Sequence, residues 1–431
     1  MSYAPTVWYM ATGYGMPAGI EAHVLHYATE MRNHGFRTKV VVFKRLPGRK
    51  VEWQDDSGQN DYGIGSTEAE RKHSRRHGES HRFLAALRER GIPIESLEER
   101  AVWRARIGVV LRFVPWLVAG LFREQRVSLS AYRDWVGCWS GVHELRRLLR
   151  TQKPALIHVF GRMPTKVWRE LPSGRTVYHE MMTGTKDGHW TGEELVDFTS
   201  FLESAARVFA PGSGVAVNMK RDFGVSREVV PIFTMCPDEA DGGEDRQNDW
   251  GSLRFGVLCR LVEQKGIRYL LEAIKAYRDR RGAVDFTFAG QGEREAMILE
   301  FVEANELEGV RVIKVQDAAE ILGEMDVFVH PSLDDAMPVS IAEALMCACP
   351  CIVCAVGGVP DLVRDGQEGF VIEPRQPDQI LAMMERFADM PKDEFRSFRT
   401  RARQRYEKVC RPESVGTVIA DHYRAIMAET E

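Results

Sequence analysis

Short apolar runs alternate with longer amphipathic stretches along most of the chain, the pattern of strands alternating with helices. The first run, "TVWYMATG", reads as a buried strand, and "YGMPAGIE" after it as a Gly- and Pro-containing turn. In "EAHVLHYATEMRNHG" the residues Ile20, Val24, Leu25, Ala28 and Met31 recur at helical spacing, and Gly35 ends the helix. "TKVVVF" is the next strand. This βαβ unit predicts a parallel sheet with its ligand at the carboxyl ends of the strands.

Residues 44–70 read as a polar loop, followed by a helix near His81 to Arg90 and the strand "IPIESL". A helical insertion is expected over about 71–150, after which the βα pattern returns at "PALIHVF", "TVYHEM" and "ARVFAPGS". The stretch from Asp238 to Gly251 is acidic, carries glycines and lacks apolar periodicity, so it reads as a linker. A second βαβ series follows: "LRFGVLCRL", the helix "GIRYLLEAIKAYRDR", "DFTFAGQG", "RVIKVQ", "DVFVHPS", "PCIVCAV" and "GFVIEP". The pattern predicts an α/β chain of two doubly wound, Rossmann-like domains facing across a cleft. The expected divisions are 1–238, a linker at 239–251, a second domain at 252–408, and a C-terminal helix within 409–431 that crosses the junction.

Composition narrows the class. A chain of 431 residues is long for one core and natural for two α/β domains. With 44% hydrophobic and 28% charged residues it is globular, and a net charge of −4 gives no general pull towards nucleic acid. The opening "MSYAPTVWYMATG" lacks the basic start of a signal peptide, and eight cysteines in mostly apolar context suit a reducing cytoplasm, the expected location. Cys347, Cys349, Cys351 and Cys354 straddle a change from helix to strand, so they read as small packing residues rather than as a metal site.

Candidate chemistry concentrates in the second series. Arg260 lies at the end of the strand "LRFGVLC", and Lys265 follows at the expected start of the next helix, which makes an anion site suited to phosphate. "GGVPDL" places Gly357 and Gly358 before a helix opening at Pro360, where backbone can approach a ligand. In "HPSLDDAMPVSIAEALM", Asp335 precedes an apolar helix that holds one acid, Glu343, eight residues on. An acid among Ile341, Ala342, Ala344 and Leu345 needs a reason, and carboxylates near a phosphate site suit sugar hydroxyls.

"RLVEQKGIRYLLEA", "FAGQGE", "DVFVHPS" with Asp335 and Glu343, and "GGVPDLVRDGQEGFVI" resemble, in order and spacing, the retaining GT-B glycosyltransferases of family 4. The likeness covers nearly all of 253–375 and extends weakly to "PAGIEAHV", "GIPIES" and "AARVFAPGS". It implies sugar transfer from a nucleotide-sugar donor to an acceptor hydroxyl, with polysaccharide or glycoconjugate synthesis as the setting. Arg260, Lys265 and helix N-termini are suited to stabilise the leaving diphosphate without a bound metal, so no metal or cofactor is expected. In the resembling family the acid matching Glu343 holds the nucleotide ribose and the acid matching Asp335 meets the donor sugar. The cations matching Arg260 and Lys265 hold the diphosphate, and the residue matching His179 lies beside the transferred sugar. Gly19 matches part of a glycine turn beside the phosphates, and Met337, Val339, Gly357 and Gly358 fall among the donor-binding positions. Three departures stand out: Asp335 replaces the usual glutamate, Ala18 one glycine of the pair, and "PIFTMCPDE" the customary Asn-Gly turn.

A Rossmann dehydrogenase would want G-x-G-x-x-G after the first strand, and "GYGMPAG" has the wrong spacing. An epimerase or phosphorylase of similar fold, or a non-catalytic sugar-nucleotide-binding protein, remains open at this level. Residues 71–150 carry 17 Lys and Arg against 8 Asp and Glu, around the apolar stretch "GVVLRFVPWLVAGLF". That stretch is too short and Arg-interrupted to span a bilayer, but with Arg104, Arg106, Arg112, Arg123 and Arg126 it could lie on an anionic membrane. The alternative is a core helix of an enlarged first domain. His73, His77 and His81, at helical spacing within the basic run, read as a solvated face rather than a metal site.

Overall fold

The structure is a computed structural model that describes residues 4–11, 20–42, 83, 85–97, 129–163, 165–184, 192–238, 253–315 and 317–430. Gly19, the loop at 44–70, the three histidines of the basic run, the apolar stretch at 108–122 with its flanking arginines, and the linker beyond Asp238 lie outside the described residues.

Two open sheets carry the fold. Among the described residues the first has seven strands in the order β3-β2-β1-β4-β5-β6-β7. They are β1 (Thr6–Ala11), β2 (Arg37–Val42), β3 (Ile94–Ser96), β4 (Leu156–Phe160), β5 (Thr176–His179), β6 (Arg207–Ala210) and β7 (Val229–Pro231). From β3 to β5 the pairing is parallel throughout, with β1 flanked by β2 and β4. Between the strands run α1 (Ile20–Asn33), α2 (Leu129–Gln152), α3 (Thr165–Trp168), α4 (Gly192–Ser204) and α5 (Ser213–Phe223). Helix α1 buries Val24, Ala28 and Met31 as its periodicity predicts, and Gly35 follows it at φ +89°.

Among the described residues the second sheet has six strands, β10-β9-β8-β11-β12-β13, with every adjacent pair parallel. These are β8 (Arg254–Leu258), β9 (Asp285–Ala289), β10 (Val310–Ile313), β11 (Val327–His330), β12 (Cys351–Cys354) and β13 (Gly369–Ile372). Burial on both faces explains the unbroken apolar runs in the sequence: Phe255, Val257, Phe286, Phe288, Val329 and Ile352 all enter one core. Helix α6 (Ile267–Arg281) covers it with Ile267, Leu270, Leu271, Ile274 and Tyr277, one stripe at helical spacing. Then come α7 (Glu295–Ala304), α8 (Ala318–Glu324), α9 (Val339–Met346), α10 (Val359–Leu362), α11 (Pro377–Ala388), α12 (Lys392–Val409) and α13 (Pro412–Thr430).

By contact the chain divides into two compact units, one of Met1–His179, His189–Val208 and Ala420–Glu431, the other of Glu180–Gly188 and Phe209–Ile419. The division falls inside α13. Cys347, Cys349 and Cys351 are buried core residues whose sulfurs face backbone carbonyls of Ala319, Met325 and Cys349, as small packing residues do. Among the described residues, no helix is long and apolar enough to cross a membrane.

Candidate functional site

In the second sheet β8, β11 and β12 are neighbours, so the loops leaving their carboxyl ends lie side by side. The first loop passes Arg260 and makes a 3-10 turn, Glu263–Lys265, before α6. Lys265 therefore does not open the α-helix, as the sequence suggested. Gly266 intervenes at φ +66°, a left-handed conformation that closes the tight turn and delays the helix to Ile267. A Cβ on Gly266 would fall on the carbonyl oxygen of Pro331 in the second loop. The amide of Leu333 donates to the Gln264 carbonyl at 2.8 Å, and the Gln264 side chain donates to the Asp334 carbonyl at 3.1 Å. Ser332 is fully buried and its hydroxyl donates to the Gln264 carbonyl at 3.3 Å. These bonds join the first two loops.

The second and third loops are joined in turn. Gly357, at φ +50°, lies against the carbonyl oxygen of Asp335, and the amide of Gly358 donates to the Ala336 carbonyl at 2.6 Å. Met337 is buried beside the pair, with its sulfur accepting the Thr234 amide at 3.2 Å. Val339 opens α9 after Pro338, and one turn later Glu343 stands half-buried on a helix whose Ile341, Ala342, Ala344 and Leu345 are fully buried. Beyond Gly358, the Asp361 carboxylate takes the Ser213 hydroxyl at 2.8 Å and also the Ser213 amide.

The centre of this assembly is Asp335. Its Oδ2 pairs with the Lys265 ammonium and meets His330 Nε2 at 2.9 Å. Burial opposes ionisation, but the hydrogen bond from His330 and the charge of Lys265 hold the carboxyl well below the usual carboxylate range. Arg260 is exposed and has no ion pair among the described residues, which leaves one positive charge beside a neutralised pair. Such a surface, with glycine turns where backbone can approach, suits an anion carrying a neutral polyhydroxyl group.

The structure thus brings together Lys265, Asp335, Met337, Gly357 and Gly358, with Arg260 on the first loop and Val339 and Glu343 on α9. His179 belongs to the first unit. The resemblance implies a place beside the transferred sugar; the ring itself is 3% exposed at the end of β5, stacked on His158 and Phe160 and edge-on to Tyr27, and burial lowers its pKa to about 3. The sequence reading gave no role to His330, Gln264, Ser332 or the Ser213–Asp361 pair. A histidine ending an apolar strand five residues before Asp335 was the available signal for the first of these.

Residues 252–389 match the family model described as glycosyl transferases group 1. The match spans 138 of the 431 residues. Within it lie the three loops and α9. Among sequence relatives, the amylovoran biosynthesis glycosyltransferase AmsK of Erwinia amylovora is 29% identical over 140 residues, 30% of this chain and 34% of that protein. The UDP-Gal:alpha-D-GlcNAc-diphosphoundecaprenol alpha-1,3-galactosyltransferase of Escherichia coli is 32% identical over 143 residues, 32% of this chain and 37% of that one. The matched stretch thus spans little more than a third of either relative's length. In fold, HepE of Anabaena, solved in complex with UDP, superposes with a TM-score of 0.68 at 14% identity, covering 97% of this chain and 100% of that one. The matched segment therefore sits in a chain of the GT-B fold.

Proposed function

We propose that this protein is a retaining glycosyltransferase that moves a sugar from a nucleotide-sugar to an acceptor hydroxyl. The observation that carries the reading is the junction of three strand-end loops around Asp335, Lys265 and the Gly357–Gly358 turn, inside the segment that matches the group 1 model. In this reading Glu343 accepts hydrogen bonds from the donor's ribose, and Asp335 meets the donor sugar. As the glycosidic bond breaks, negative charge grows on the leaving diphosphate, and Arg260 and Lys265 stabilise it. The acceptor attacks the face the phosphate leaves, and the leaving phosphate oxygen takes the acceptor's proton. No protein nucleophile and no metal take part. His179 stands as the group beside the transferred sugar by resemblance alone, and its depth makes it a neutral ring that shapes rather than donates.

HepE, in complexes with UDP and with UDP-glucose, supports a uridine donor, and the two named relatives support an envelope polysaccharide or lipid-linked acceptor. The cytoplasmic setting, with peripheral contact to an anionic membrane through the basic segment, belongs to the same proposal. Thermal-shift measurements with UDP-, GDP- and ADP-sugars test the donor, because only a matched donor stabilises the folded state measurably. Stabilisation by none of them, or release of sugar without transfer to any glycan or lipid-linked acceptor, overturns the reading.

A further inference from the structure

His330 ends β11 and is 1% exposed, with its ring over Phe328 at a centroid distance of 6.2 Å. Burial lowers its pKa against the pull of Asp335, so the ring is neutral and carries one proton. An ionised carboxylate only accepts, so that proton sits on Nε2, facing Asp335 Oδ2 at 2.9 Å. Nδ1 has no hydrogen-bond partner among the described residues, which agrees with this tautomer. The Lys265 ammonium reaches the same oxygen, Oδ2. Among the described residues no hydrogen bond reaches Oδ1.

The two oxygens of Asp335 are therefore unequal, one doubly held and one open. We propose that His330 is a positioning residue that, with Lys265, fixes Oδ2 so that the donor's sugar meets Asp335 through Oδ1 alone. This rests on the reading of Asp335 as the acid facing the donor sugar. An acid with both oxygens open can bridge two vicinal hydroxyls, one on each oxygen, whereas one held this way loses that bridge and meets the sugar at the hydroxyl aligned with Oδ1. The shorter aspartate side chain suits the arrangement, because it sits back against the His330 ring. A ring that merely filled space at the end of β11 would need neither its proton on Nε2 nor an aspartate as neighbour.

The test is calorimetry on the full chain. The ligands are whichever of UDP-glucose, GDP-mannose and ADP-glucose stabilises the wild type most, its nucleoside diphosphate, and its singly deoxygenated sugar analogues. His330→Leu is expected to weaken the nucleotide-sugar about 10- to 100-fold, the worth of one hydrogen bond to a charged group, and to leave the diphosphate unchanged. His330→Gln, whose amide N–H reaches about as far as Nε2, is expected to restore most of the loss. In the wild type, removing one sugar hydroxyl should reproduce the His330→Leu loss, and removing its neighbours should not. Equal weakening of diphosphate and nucleotide-sugar, or Gln and Leu variants that behave alike, reduces His330 to a packing residue and overturns the proposal. Equal losses for two adjacent deoxy positions overturn the single-hydroxyl contact. If the wild type binds neither the sugar nucleotide nor the diphosphate, the reading of the site falls first and this inference with it. Should His330→Leu fail to fold, Asp335→Asn, which keeps the shape and removes the charge, carries the same comparison.

Discussion

Gly357 turns at φ +50° directly against the carbonyl oxygen of Asp335, so the backbone of the third loop sets the position of the acid on the second. Gly357→Ala brings two penalties, a left-handed alanine at about 1–2 kcal/mol and a Cβ overlapping a backbone oxygen that cannot rotate away. Gly366 is a built-in control, because it has φ +70° with no atom within 4 Å of its missing Cβ. Gly366→Ala should show only the first penalty. Denaturant titration should find Gly357→Ala less stable than Gly366→Ala, and donor binding should fall in the former alone. Equal losses in the two variants would mean that the contact with Asp335 is immaterial.

Glu343→Ala should weaken donor binding by about 1.5–3 kcal/mol, the range for a hydrogen bond to a charged group. The side chain is half-buried on a helix whose adjacent residues are core, so a folded variant with weaker binding isolates the carboxylate's part. Unchanged affinity by calorimetry removes Glu343 from the donor site.

Arg260 and Lys265 should separate in their effect on stability while agreeing in their effect on rate. Each replacement by Ala is expected to lower turnover about 10²–10³-fold, as loss of one electrostatic contact to the transition state does. Arg260 is exposed, so Arg260→Ala should leave the melting temperature in place. Lys265→Ala leaves the Asp335 carboxylate, 18% exposed, without its cation, and the melting temperature should drop. Adding EDTA should leave turnover unaltered. A rate that collapses on chelation and returns with magnesium or manganese sinks the metal-free mechanism.

Much of this was readable from the sequence because parallel sheets buried on both faces announce themselves as unbroken apolar runs, and strand-end loops as Gly and Pro turns. Helix α9 was legible for the same reason: Pro338 before it and one acid among core residues leave few alternatives. What escaped was the pairing between loops. Gln264 and Ser332 act through hydrogen bonds to backbone carbonyls of the facing loop, which leave no spacing in the sequence. The delayed start of α6 depends on the left-handed turn at Gly266 under the Pro331 carbonyl, a tertiary contact rather than a propensity. The depth of His179 was hidden because it depends on rings far away in sequence, Tyr27 on α1 and His158 on β4.

Those buried rings should make the first unit sensitive to acid. His158 and His179 stack at 5.4 Å, and the Tyr423 hydroxyl meets His158 Nδ1 at 2.5 Å. Burial holds His179 at about 3 and His158 well below its ordinary value, with the facing histidine adding to the second shift. A histidine whose folded pKa is lowered binds its proton more readily when the chain unfolds. Stability is therefore unaffected above the unfolded value near 6.5 and falls as pH drops below it, towards the folded value of about 3 for His179. Within that window each such histidine should cost about 1.4 kcal/mol per pH unit. The expected observation is a melting temperature that is level above neutrality and falls on acidification, with a shallower fall in His179→Gln than in the wild type. Removing the titrating ring removes its share of the slope, whatever the variant's stability at neutral pH. Parallel pH profiles for the two proteins would mean that His179 takes up its proton in the folded state as easily as in the unfolded one, and the sealed ring stack would have to be given up.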